Sequence, residues 1–190
     1  DKILFSDFDF IGVVSPLSTN FQFSGSYEEI VNGLIGWCKH YDEFKTGISI
    51  WQKQIYNTRV DREDSILWNG QAIEALCEHH SELYNLAKTI ATERAQQNGQ
   101  SSREPNLVDY LTTVNRQFPE LGETFTPFFA DAKQVRDKLT HNNPNKQVTE
   151  RQIKNTVALL EHFSIRLISY IIGLKGITKG CLLIPHESES

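Results

Sequence analysis

No methionine occurs in these 190 residues, and only three are cysteine. Cys38, Cys77 and Cys181 form no CxxC pair, and three thiols cannot all be bridged to one another, which argues against a disulfide scaffold, and free thiols are expected. Long apolar runs are missing too. None approaches the roughly 20 residues of a membrane span, and the N-terminus lacks the basic-then-apolar pattern of a secretory signal, so the chain reads as cytoplasmic with no membrane partner. Positive charge is not in excess: a net charge of -5 and a pI near 5.7 argue against general nucleic-acid binding through a broad basic surface. With Asp1 first and no methionine anywhere, the chain is expected to be cut from a longer polypeptide with a domain ahead of it.

What is present is an ordinary globular balance, 39% apolar and 23% charged, in a length that suits one domain. Residues 1–25 are rich in Phe, Ser, Asp and Gly without helical period, and read as a linker or the last extended piece of a preceding domain. Ser26-Tyr-Glu-Glu29 is a capping box, predicting a helix to about Tyr41. A second helical stretch carries Phe44, Ile48, Trp51 and Ile55. Asp61 caps a longer helix that breaks or bends around His79-His80-Ser81 and ends at the polar run containing Gly99. A short helix from about Pro105 to Gln117 follows, then one from about Gly122 to Asn142, stopped by Pro144. A last helix starts at the Thr149 cap and ends at Gly173 or Gly176.

Strand signals are confined to the ends, so the expected fold is all-α: a helical bundle over residues 26–178, with a short irregular or extended N-terminal segment and a tail at 179–190.

Charge is distributed unevenly. Residues 131–155 hold six Lys/Arg against three acids, a local +3 that leaves -8 on the remainder. Within that stretch lies Val135-Arg136-Asp137-Lys138-Leu139-Thr140-His141. An arginine forks onto phosphate oxygens, and histidine as a residue type exchanges protons near neutral pH, so the pair suits RNA phosphodiester cleavage without metal or other cofactor. RNA brings its own nucleophile, the 2′-hydroxyl. Cleavage then needs a base for that proton, a cation for the phosphorane oxygens and an acid for the leaving 5′-oxygen.

One histidine cannot easily fill each role, which predicts a homodimer with two Arg136/His141 pairs in one cleft. Positions five apart on a helix are offset by about 140°, so convergence within one chain requires a bend. Asn142-Asn143-Pro144 would let His141 swing off the last turn, with Thr140 bonded to local backbone. Lys133 and Lys138 beside the arginine, and Asn142 after the histidine, are candidate RNA contacts.

Spacing alone discriminates poorly among eight arginines and six histidines; context gives the motif its weight. The segment Val135 to His141, followed by the long helix from Thr149, resembles the signature region of HEPN domains, and its Thr-His ending resembles the ApeA-like branch. Gln71-Ala72-Ile73-Glu74 is similar to a Gln-Ala-x-Glu segment of an earlier helix in that branch. The resemblance spans about residues 26–176. It implies a HEPN-type helical bundle and a dimeric, metal-independent endoribonuclease, often a toxin or antiphage effector of abortive infection.

On that resemblance Arg136 and His141 are the catalytic pair, Asp137 fills the polar position and Glu74 is the acid that orients the arginine. The family usually has asparagine where this chain has Asp137, and a carboxylate there weakens the local field for phosphate. Transfer RNA is a common target in the family, but no residue here specifies a substrate.

Two other classes remain open: a non-catalytic HEPN dimerisation or partner-binding module, and a structural domain of a larger sensor. Cys77, His79 and His80 offer ligands close together, yet no second cluster completes a tetrahedral metal site. His40 and His162 fit structural roles, and Trp37, Trp51 and Trp68 fit packing.

Overall fold

The computed structural model describes residues 22–23, 26–56, 61–118, 125–141, 147–173 and 177–178. The protein is an all-α bundle of α1 (Tyr27–Tyr56), α2 (Arg62–His79), α3 (Ser81–Gln97), α4 (Leu107–Gln117), α5 (Pro127–His141) and α6 (Glu150–Ile171). Two residues on either side, β1 (Gln22–Phe23) and β2 (Ile177–Thr178), pair antiparallel with Gln22 opposite Thr178. Gln22 and Phe23 apart, the expected N-terminal linker, together with the C-terminal tail and Cys181, lies outside the described residues. Cys38 is an exposed and Cys77 a buried free thiol. No described helix is long and apolar enough to cross a membrane.

Helix boundaries follow local chemistry. The Ser26/Glu29 pair forms, with the Ser26 N–H donating to Glu29 Oε2 at 2.7 Å and the Glu29 N–H to Ser26 Oγ at 3.3 Å. Asp61 caps α2 by accepting from the Asp64 N–H, and His80 separates α2 from α3 in an extended conformation. Gly99 closes α3 at φ +74°, its N–H on the Gln96 carbonyl and the Gln100 N–H on that of Ala95, a paired termination that suits glycine. Gly173, also at positive φ, ends α6.

Three boundaries differ from expectation. The two stretches on either side of Tyr41 are one 30-residue helix, because Asp42-Glu43 contains no breaker and is spanned by His40–Glu43 and Lys45–Asp42 pairs while Phe44 and Ile48 keep the inward face buried. Helix α4 starts at Leu107 instead of Pro105, since Asn106 is the cap and Asp109 completes a capping box. Helix α5 starts at Pro127, later than the expected Gly122, because Phe125 and Thr126 form a turn ahead of it; Gly122 itself, the stop at Pro144 and the alternative α6 end at Gly176 lie outside the described residues. Pro127, the first residue of α5, needs no hydrogen-bond partner there.

Helix α2 is the hub and touches all five other helices. It sits against α1 closely enough that a Cβ on Gly47 would come within 2.5 Å of Leu76 Cγ. The core joins Phe44 and Ile48 of α1 to Ile66, Ile73 and Leu76 of α2, Leu111 of α4, Phe129 of α5 and Leu160 and Phe163 of α6. Trp37 and Trp51 pack against it, and His162 is buried with its ring stacked on Phe125 at 5.3 Å. The α5–α6 hairpin is fixed by Gln152, which closes the Thr149 capping box and donates to Asp131 at 3.1 Å.

Candidate functional site

Helix α5 buries Phe128, Phe129, Ala132 and Val135 against the bundle. Arg136, the next residue, is turned about 100° from Val135 and so emerges at the edge of the packed face. Its stem runs along α2 beside Gly70, where a Cβ would sit 3.8 Å from Arg136 Cγ and 4.0 Å from Leu107 Cδ2 of α4. One turn further along α2, Glu74 Oε2 accepts from Arg136 Nη2 at 2.5 Å. Both side chains are about four-fifths buried, at 23% and 19% exposure. Glu74 is followed one turn later by Glu78, so α2 presents Gly70, Glu74 and Glu78 in a line toward α5 and α4.

Electrostatics around the pair are dominated by loss of water. Burial raises the Glu74 carboxyl above the ordinary glutamate range despite the opposing pull of Arg136, and the charges of Glu78 and Asp137 raise it further. Asp137 is itself ion-paired with Lys133 one turn earlier. That pair draws Lys133 toward a carboxylate and reduces the positive field of the stretch that looked basic in sequence.

Thr140 Oγ1 donates to the Arg136 carbonyl at 2.9 Å, a backbone bond of the expected kind. Thr140 and His141 are exposed at the C-terminal end of α5, and Lys138 is half-buried. His141 does not swing away: it is the last residue of the regular helix. Arg136 and His141 therefore keep the offset of about 140°, with about 7.5 Å of rise between them. Arg136 faces Glu74 while His141 stands in solvent, so one chain holds the two groups apart. Asn142 lies outside the described residues.

Among the described residues no group of three or more His, Cys, Asp or Glu side chains is placed to hold a metal ion. Cys77 is fully buried, its thiol pushed up by that burial and by Glu78 and Glu74, while His79 is exposed and the His80 ring lies 6.0 Å from that of Tyr170.

Three features were not anticipated from the sequence patterns. Tyr110 of α4 donates to Glu78 at 3.1 Å, linking α4 to the acidic line on α2. Asp109, fully buried, accepts from Arg94 at 3.0 Å and from both terminal nitrogens of Arg103 at 2.6 and 3.0 Å. Between α2 and α6, Ser164 donates to Asn69 at 3.0 Å and Ser65 to the buried Glu161 at 3.3 Å. The i,i+4 repeat of Glu74 and Glu78 was the one available sequence signal for the first.

No family model, curated protein or solved structure matches the chain. Its chemistry therefore rests on its own residues.

Proposed function

We propose that the protein is a HEPN-type endoribonuclease, of the ApeA-like kind, that cuts RNA by attack of the 2′-hydroxyl without a metal ion. The observation that supports this is the Glu74–Arg136 ion pair: the acid and the arginine singled out by two separate sequence segments meet across α2 and α5. Arg136 would bind the non-bridging phosphate oxygens with N–H groups that Glu74 leaves free, and Glu74 would hold its plane. The His141 of one copy would take the 2′-proton while the His141 of the second copy protonates the departing 5′-oxygen. The new bond joins O2′ to phosphorus as the P–O5′ bond breaks, giving a 2′,3′-cyclic phosphate and a 5′-hydroxyl.

The separation of Arg136 from His141 on one helix gives the dimer a geometric purpose. Two copies related by a twofold axis would place the His141 of one beside the Arg136 of the other, with Lys138 lining the RNA path. The cellular role we propose is a cytoplasmic effector of antiphage abortive infection acting on RNA, with tRNA one candidate. Incubation with RNA in EDTA tests the chemistry: cyclic phosphate ends are expected, and 3′-hydroxyl products would exclude attack by the 2′-oxygen.

A second reading, a non-catalytic HEPN module that dimerises or binds a partner, is favoured by a stripe on α1. Tyr27, Leu34 and Tyr41 recur every seven residues and are 72%, 62% and 46% exposed, with Ile35 beside them. Such a surface suits a protein contact. RNA left unchanged by the wild-type protein would favour this module over the nuclease.

A further inference from the structure

The line of carboxylates on α2 leads from Arg136 into a cleft. Beyond Glu74, Glu78 joins Tyr84, Glu104, Pro105 and Tyr110 around a cavity of about 350 Å³, at the small end of the range for ligand pockets. The walls are held by two phenol–carboxylate bonds. Tyr110 donates to Glu78 at 3.1 Å, and Tyr84 donates to Glu104 at 3.3 Å. Tyr110 is buried, so it serves as a post that orients Glu78, whereas Tyr84 and Pro105 are half-buried and offer flat apolar surface.

Continuity with the arginine is electrostatic as well as positional. Glu78 lies one turn from Glu74 and raises its carboxyl, and the Glu74 charge is felt in turn at the Tyr110 phenol. The phenol is pushed up strongly, chiefly by burial and by Glu78, so Tyr110 remains a donor across the physiological range. Each carboxylate has spent one of its roughly four acceptor positions on a phenol.

We propose that this cleft is a nucleobase pocket that reads guanine next to the scissile phosphate, with Glu78 accepting from the ring N1–H and the exocyclic amino group. The inference rests on the ribonuclease proposal for the position of that phosphate at Arg136. Among the bases, guanine presents two adjacent donors on its Watson–Crick edge, which match the two oxygens of a carboxylate. The ring would lie against Tyr84 and Pro105, as unpaired RNA bases do on aromatic side chains. A cationic protein segment is the competing occupant of an acidic cleft. A cation already stands at the Tyr84 wall, however: Lys88 Nζ is 5.8 Å from the centre of that ring. A neutral base meets no such repulsion.

Binding can be read apart from cleavage by using the His141→Ala chain and titrating guanosine 3′-monophosphate against the ring signals of labelled tyrosines. The expected result is saturable shifts at Tyr84 and Tyr110, with uridine 3′-monophosphate at least about ten-fold weaker and the guanosine preference lost in Glu78→Gln. Equal binding of the two nucleotides, or no tyrosine shifts with either, overturns the pocket. So does a hexa-arginine peptide that shifts both rings while the nucleotides leave them unmoved. A chain that binds guanosine as expected but whose wild type cuts no RNA would keep the pocket and lose the nuclease.

Discussion

Arg136 of α5 and Glu74 of α2, 62 positions apart in sequence, form an ion pair of 2.5 Å that engages one terminal nitrogen of the guanidinium. Arginine carries five N–H donors, so the pair fixes the side chain without exhausting it. Removing the acid would leave the arginine to wander, with its stem still against α2. Glu74→Ala is expected to lower the rate of RNA cleavage by about ten-fold, less than the roughly 10²-fold of a lost oxyanion donor. Glu74→Gln should recover part of the loss, because an amide oxygen still accepts from Nη2. Unchanged kcat in both variants would mean that Glu74 only stabilises the bundle.

The Glu74 carboxyl should titrate above the ordinary glutamate value of 4.5, since burial outweighs Arg136. The sign for stability follows: the fold favours the neutral form, so the contribution of this group is complete at acid pH below 4.5 and is lost as pH rises through the folded value. Carbon-detected NMR of the side chain gives the midpoint directly. Glu78→Gln should lower it and Arg136→Leu should raise it. A midpoint at or below that of an unfolded glutamate contradicts the burial assigned to this site.

Asp109 ties Arg94 and Arg103 to the first turn of α4 and accepts from the Asn106 N–H at 2.9 Å. Asp109→Ala removes the capping box and leaves two arginines facing each other. The expected loss is roughly 2–3 kcal/mol, below the ~3–5 kcal/mol of a fully buried pair because both arginines reach solvent. Denaturant melts measure it, and a change under about 0.5 kcal/mol would mean that α4 is anchored by its apolar face alone.

A dimer with shared pairs makes a mixing prediction. Light scattering at micromolar concentration should report two chains, and combining inactive Arg136→Ala with inactive His141→Ala should restore some cleavage through one intact composite pair. A strictly monomeric chain that still cuts RNA contradicts the shared cleft.

Much of the bundle was legible because its signals are local. Asp61, Thr149 and Gly99 mark helix ends through bonds to neighbours within a few residues, and the extended His80 breaks α2 from α3 where the polar run Glu78-His79-His80-Ser81 interrupts the apolar period. The joint at Tyr41 was misread because a change of apolar phase looks like a boundary even when no residue there disfavours helix. Polar core positions were invisible for a related reason. Asn69, Asp109, Glu161 and Ser164 are buried by partners distant in sequence, and apolar periodicity has no term for a polar side chain satisfied by another helix. Glu74 and Arg136, singled out by sequence, meet as an ion pair, but the outward stance of His141 depends on α5 staying regular to its last residue, which the following Asn-Asn-Pro obscured.

The central claim is that Arg136 and His141 cleave RNA, and mapping new RNA ends tests it most directly. Wild-type protein should produce 2′,3′-cyclic phosphate ends in total cellular RNA. His141→Ala, which changes an exposed side chain, should produce none while melting within a few degrees of wild type; Arg136→Ala should also produce none but melt lower, because it leaves the largely buried Glu74 unpaired. Identical end profiles from wild type and His141→Ala would show that the protein is not a nuclease of this kind.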